Sequence, residues 1–166
     1  MRALFVGRFQ PFHHGHFEVI KKLLSEFEEV IVVIGSSESP ISSENPFSAN
    51  ERIEMVKVAY TPEDLNRMII IPVPDINDHA RWVSHVKSYV PDFEVVFSNN
   101  ELVTKLFEEA GIEVRPIEFV DRGNKEGKFI RKLMREDNPE WKRHVPKEVS
   151  EYIEKIKGWE RLASLS

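Results

Sequence analysis

Three histidines fall within four positions, His13, His14 and His16, with Arg8 and Gln10 just ahead of them and Gly7 and Gly15 alongside. Phosphoryl and nucleotidyl transfer ask a protein mainly for positioning and for neutralisation of charge that develops on phosphate oxygens. Imidazole N–H groups and a guanidinium at the start of a helix can supply both, with the helix dipole adding to the effect. His13 and His16 stand at i, i+3 and so face one way on a helical turn, while His14 points elsewhere. Gly15 lets a nucleotide approach the backbone closely. Two other chemistries fit the same residues. A histidine pair at this spacing can bind a metal, although the chain has no Cys and no carboxylate lies nearby in sequence. The histidines of a surface turn can also be merely solvated.

The elements around the histidines decide whether such a turn can form. Ala3 to Val6 is a short apolar run that ends at Gly7, and Phe17, Val19, Ile20, Leu23 and Leu24 mark an amphipathic helix. The order is strand, turn, helix, which in an open α/β sheet is where phosphates bind. The alternation then repeats. Glu29 to Gly35 is β-branched and apolar throughout, as a buried parallel strand should be. Ser36 to Phe47 reads as a loop, and Ser48 with Glu51 forms a capping box for a helix over Ala49 to Ala59. Met68 to Pro72 is a third strand, and Pro72, Pro74 and Asp75 force an irregular stretch before a helix from Ala80 to Tyr89. Phe93 to Phe97, the helix from Glu101 to Ala110 with Gly111 as its C′ residue, and Ile112 to Arg115 complete the pattern. Asp121 to Glu126 is polar and contains glycine; Gly127 to Met134 and Lys147 to Ile156 are helical.

Repeated strand–helix units with right-handed crossovers predict one Rossmann-like domain over 1–166: a doubly wound parallel five-stranded sheet of order 3-2-1-4-5, with a helical C-terminal tail from about residue 127. The order reverses between strands one and four. The loops after Val6 and after Phe97, the second carrying Ser98 and Asn99, are therefore the expected site.

Composition narrows the function classes. Hydrophobic content of 41% and charged content of 31% over 166 residues describe a globular chain large enough to bury a core. The absence of Cys excludes disulfides, thiolate metal sites and a cysteine nucleophile. A net charge of −5 argues against a nucleic-acid coat, so a polyanion must be held by a local group of cations. No apolar run reaches membrane-span length and no secretory signal is visible, which points to the cytoplasm.

The string Gly7-Arg-Phe-Gln-Pro-Phe-His-His-Gly-His16 closely resembles the HxGH signature of the nucleotidylyltransferase superfamily, in the form used by archaeal nicotinamide-nucleotide adenylyltransferases. The resemblance covers nearly the full chain. It includes Asn45-Pro-Phe-Ser-Ala-Asn-Glu-Arg52, the Pro72-to-Asp75 segment leading to Trp82-Val83, Phe97-Ser-Asn-Asn100, and Val145-Pro146 through Ile156-Lys-Gly-Trp-Glu-Arg-Leu162. It implies adenylyl transfer from ATP, accompanied by Mg²⁺, to nicotinamide mononucleotide, with no covalent enzyme intermediate. Another phosphate-bearing acceptor is the alternative within the same chemistry, and a non-catalytic nucleotide-binding module is the alternative outside it.

By the same resemblance His13, His16, Arg8 and Arg131 act on the reacting phosphates. Gly7, Phe9, Gly15, Ser98, Asn99 and Lys128 complete an ATP site, and Arg52, Asp75, Ile76 and Trp82 an acceptor site. Trp82 stacks on a pyridinium or packs in the core; Asp75 fixes the acceptor or caps the following helix. The chain departs from the pattern in four places, the first being Ser36-Ser-Glu-Ser-Pro-Ile-Ser42 after the second strand, where a His-containing Ser/Thr stretch is usual. Glu126-Gly-Lys-Phe-Ile-Arg131 stands where Ser-x-Thr-x-x-Arg is usual, so Glu126 would repel a triphosphate unless Mg²⁺ intervenes and Lys128 would attract it. His79, flanked by Asp78 and Arg81, stands where Asn is usual, and His14 where Lys or Arg is common. Family members commonly form homo-oligomers, for which Trp159, Leu162 and Leu165 are candidate contacts.

Overall fold

The alternation of side chains along each strand sends consecutive residues into two different cores. Ala3, Phe5, Val30, Val32, Ile34, Val95 and Phe97 enter one, and Leu4, Ile31, Val33 and Val96 the other. A computed structural model, describing residues 1–118 and 125–165, shows the sheet that this pattern requires. Its strands are β1 (Arg2–Gly7), β2 (Glu29–Ile34), β3 (Met68–Pro72), β4 (Val95–Phe97) and β5 (Glu113–Arg115). They pair in parallel in the order β3-β2-β1-β4-β5, as the sequence predicts. Val6 lies opposite Val33, and Phe5 opposite Phe97. The ends of β1, β2 and β4 therefore sit together at one edge.

Helices cover both faces. On the first lie α1 (His14–Glu26), α2 (Ala49–Val58), α6 (Lys125–Arg135), α7 (Lys147–Lys155) and α8 (Gly158–Ser164), through residues such as Leu23, Met55, Ile130, Ile153 and Leu162. On the second lie α4 (His79–Tyr89) and α5 (Glu101–Glu109), through Val86 and Phe107. A one-turn helix α3 (Pro62–Leu65) leads into β3, and a 3₁₀ turn spans Pro139–His144.

The local signals act as their chemistry requires. Ser48 and Glu51 cap α2 reciprocally, and Gly111 follows α5 with φ +78. Differences lie at boundaries. Helix α1 begins at His14, with His13 as its N-cap, and β4 is shorter than the apolar run from Phe93. Helices α3 and α8 and the 3₁₀ turn are additions to the sequence reading. The polar stretch from Asp121 lies outside the described residues up to position 124. Among the described residues no helix is long and apolar enough to cross a membrane.

Candidate active site

The turn between β1 and α1 is built on aromatic packing. A Cβ at Gly7 would come within 2.7 Å of the Phe9 ring, so only glycine lets that ring fold back on the strand end. Phe9 adopts φ 54, is buried, and contacts Phe5 and Phe12 with ring centroids at 5.7 and 5.8 Å. Its ring meets that of His16 edge-on at 4.7 Å. Phe9 is thus the floor beneath His16.

His13 and His16 form a capping box with imidazoles where Ser and Glu are usual. The Nδ1 of His13 accepts from the backbone N–H of Gly15 at 3.1 Å and of His16 at 3.5 Å. In return the Nδ1 of His16 accepts from the backbone N–H of His13 at 3.2 Å. The two rings stack at 3.6 Å. A ring nitrogen that accepts carries no proton, so each neutral imidazole keeps its hydrogen on Nε2. In His13 that Nε2 is buried and has no hydrogen-bond partner among the described residues. Burial, with His14 and His144 nearby, lowers the pKa of His13 to about 4. Burial and then His13 press that of His16 well below its ordinary value. Both rings are neutral near pH 7 and offer dipoles, not charges.

Charge comes from arginines. Arg8 is exposed and donates through Nη2 to Asn45 Oδ1. Arg131, buried on α6, donates to the backbone carbonyl of Gln10 at 2.7 Å. Arg52 is 1% exposed and donates to the carbonyls of Ser48 at 3.2 Å, Arg8 at 3.0 Å, Gly35 at 2.7 Å and Ser36 at 3.1 Å. It laces the ends of β1 and β2 to the start of α2. Burial and the neighbouring Arg8 lower its pKa to about 10, and the same two causes lower that of Arg131.

A cavity of about 640 Å³ opens at the strand ends. Gly7, Arg8, His16, Ser98, Asn99, Asp75, Ile76 and Trp82 line it, joining the loops after β1 and β4 as the topology predicts. His13, Phe9, Gly15, Arg52, Lys128 and Arg131 are not on its wall, for physical reasons visible at each. His13 and Phe9 are packed beneath His16, and Gly15 is bonded to His13. Arg52 and Arg131 spend donors on backbone carbonyls, and Lys128 projects from an exposed position of α6.

Trp82 is half-buried, facing the cavity and meeting Phe107 edge-on at 5.4 Å, so wall and packing are one role. Asp75 does not cap α4; Asp78 does, accepting from Ala80 N–H at 3.0 Å. Asp75 instead accepts from Ser36 Oγ at 2.7 Å, and its N–H donates to Glu38 at 3.0 Å. Glu126, where a hydroxyl was expected, faces His144 at 3.1 Å, so its carboxylate is occupied by an imidazole.

His79, which stands where Asn is usual, borders the cavity, and so do Ser36, Asn77, Leu102, Leu106 and Ile117, which are not among the expected site residues. The place of Ser36 was readable, since it follows a strand that must neighbour β1. Leu102 and Leu106 were not, because their i, i+4 spacing is what any core-facing helix shows. Among the described residues no group of three His, Cys, Asp or Glu side chains could hold a metal ion.

Residues 4–142 match the cytidylyltransferase-like family. The chain is 45% identical over 166 residues to the nicotinamide-nucleotide adenylyltransferase of Haloarcula marismortui, covering 100% of this chain and 87% of that protein. Against the protein of the same description from Methanothrix thermoacetophila it is 47% identical, over 99% of this chain and 96% of the relative. Among solved structures, a bifunctional NMN adenylyltransferase/ADP ribose pyrophosphatase from Francisella tularensis, complexed with AMP and Mn ion, superposes with a TM-score of 0.76 at 20% identity. That match takes in 98% of this chain and 52% of the other, so the chain spans about half of that protein and shares its fold. Profile, identity and coverage agree: the chain belongs to the nicotinamide-nucleotide adenylyltransferases, within the cytidylyltransferase-like family.

Proposed function

We propose that the chain joins ATP to nicotinamide mononucleotide through the cavity at the ends of β1 and β4. A 5′-phosphate oxygen of the mononucleotide attacks the α-phosphorus of ATP in line; the bond from that phosphorus to the β-bridging oxygen breaks, pyrophosphate leaves and NAD forms. The observation that carries this reading is the imidazole pair at the β1–α1 turn. Both Nδ1 atoms are bonded by backbone N–H groups, which leaves a proton on each Nε2 with none needed from solution: His16 carries its own at the cavity wall and His13 stands buried behind it.

In this reading His16 and His13 donate to phosphate oxygens as charge builds in the transition state. Arg8 and Arg131 add positive charge, and Lys128 attracts the outer phosphates. Gly7, Ser98 and Asn99 bound the nucleotide. Trp82, Ile76 and Asp75 receive the acceptor, the indole stacking on its pyridinium. Phe9, Gly15 and Arg52 act on the shape of the turn and not on the ligands. A divalent cation, Mg²⁺ in this reading, would come with ATP as part of the substrate and would offset charge on its phosphates. The Glu126 carboxylate accepts from the His144 ring at 3.1 Å, which ties the start of α6 to the 3₁₀ turn.

The test is pyrophosphate release from ATP and Mg²⁺ with a panel of mononucleotides, the wild-type chain beside His16→Ala. The expected result is NAD formation whose kcat falls on the order of a hundredfold in the variant, as for loss of one transition-state donor. Turnover confined to a different mononucleotide would reassign the acceptor. ATP binding with no turnover of any would overturn the enzymatic reading.

A further inference from the structure

The segment Gly158-Trp-Glu-Arg161 opens α8, far in sequence from the histidines, yet it is docked on the loop that holds their turn. Arg161 makes a forked contact with Glu51, Nη1 to Oε1 at 2.7 Å and Nη2 to Oε2 at 2.9 Å. The same Nη1 reaches the carbonyl of Pro46 at 2.7 Å, and the guanidinium lies 6.0 Å from the centroid of the Phe47 ring. A Cβ at Gly158 would come within 2.7 Å of that ring and 3.0 Å of Ile153, so close packing of α8 on Phe47 demands glycine. The side chains of Arg161 and Glu51 are 27% and 19% exposed, which makes this a sheltered pair and not a surface one.

From this dock two paths lead out, one to Gln10 in the β1–α1 turn and one to residues of the cavity wall. Phe47 exchanges two hydrogen bonds with the Gln10 amide, each of 3.0 Å, and the Gln10 carbonyl in turn receives Arg131. Glu51 completes the cap of α2, from which the adjacent Arg52 grips the carbonyls of Arg8, Gly35 and Ser36. Arg8 itself is held by Asn45, one residue before Pro46.

We infer that Arg161 is a positioning residue for adenylyl transfer: it seats the loop from Asn45 to Glu51, and through Gln10 and Arg52 that loop sets the turn that lines the cavity. The inference rests on the proposed function. Nothing in it requires Arg161 to touch substrate. A forked guanidinium is needed because one group must satisfy both carboxylate oxygens and a carbonyl, which a lysine ammonium cannot match in geometry.

Arg161→Gln, Arg161→Lys and Glu51→Gln are compared with the wild-type chain by steady-state kinetics well below the melting temperature and by amide hydrogen exchange. Arg161→Gln is expected to lower kcat by on the order of ten- to a hundredfold, since small displacements near reacting groups cost that much, with KM for both substrates nearly unchanged. Exchange should quicken in peptides covering 7–16 and 33–36 as well as 45–52. Arg161→Lys should recover part of kcat, and stands in if the glutamine variant fails to fold. Adding Glu51→Gln to Arg161→Gln should cost little more, because both break one contact. Unchanged kcat, or faster exchange confined to 45–52 and 158–164, would overturn the inference and leave Arg161 a fastening of α8 alone. If the wild-type chain forms no NAD, the proposed function fails, while exchange at 7–16 still decides whether Arg161 sets the turn.

Discussion

His13 and His16 are held as neutral donors by the backbone they cap, and this has a consequence for stability. His13 titrates at about 4 in the fold against an ordinary value of 6.5. Its folded form therefore binds fewer protons than the unfolded chain between those limits, and stability rises with pH across that window. Protonation of the ring would also end its acceptance of the Gly15 and His16 N–H groups. Urea unfolding between pH 4 and 7 should show this rise, and replacing His13 by Asn, which can still cap the helix, should flatten it. An unchanged slope in that variant would place the acid sensitivity elsewhere. Gly7 makes a second prediction. The Cβ of Gly7→Ala would press on the Phe9 ring at 2.7 Å, and Phe9 is already confined between Phe5, Phe12 and His16. The expected loss is about 1–3 kcal/mol, measured by urea midpoint, with a fall in kcat from displacement of His16. The type and spacing of these residues were legible in the sequence. Their division of labour was not, because a histidine N-cap and an arginine spent on four carbonyls have no sequence signature distinct from ligand-binding residues.

Strands β1 to β4 were readable because each is a short apolar run closed by Gly, Pro or Ser, and α2 because Ser48 and Glu51 announce it. Helix α8 and the 3₁₀ turn at Pro139–His144 escaped notice, since segments this short have too few residues to show a helical period. Their importance lies in the contacts made with α2 and α6, which no local pattern encodes. The Glu51 cap carries a testable pH dependence. Burial pushes its carboxyl upward, but hydrogen bonds from Arg161 and Ser48 outweigh this and hold it below its ordinary 4.5. A carboxylate depressed in the fold contributes stability that is complete above the unfolded value and is lost as pH falls through the folded one. Glu51→Gln should therefore lower the melting temperature at neutral pH and cost less and less as pH drops below about 4.5. A constant difference over that range would mean that the ionised pair is not what stabilises the start of α2. Ser48→Ala removes the other half of the box and should cost about 1 kcal/mol.

The order β3-β2-β1-β4-β5 divides the cavity between two parts of the chain. His16 and Arg8 come from the unit that opens with β1, whereas Asp75, Ile76 and Trp82 follow β3 and belong to the crossover that leads to β4. Under the proposed function the two substrates would be received by different segments of the chain, joined at the Ser36–Asp75 hydrogen bond, and loss of a side chain on one segment away from that bond should leave the other's ligand in place. Trp82 is the sharpest probe of this division, because its indole meets the Phe107 ring of α5 edge-on and follows β3 in the chain. Trp82→Phe keeps an aromatic face for a cationic ring and should change KM for nicotinamide mononucleotide little. Trp82→Leu keeps much of the packing but removes that face, and should raise this KM by about tenfold, the weight of one desolvated cation–π contact. KM for ATP should stay the same in both variants. Initial rates measured with each substrate varied in turn decide the matter. A rise in KM for ATP alone would move Trp82 to the nucleotide wall, and equal KM values for Trp82→Leu and wild type would reduce the indole to a packing group.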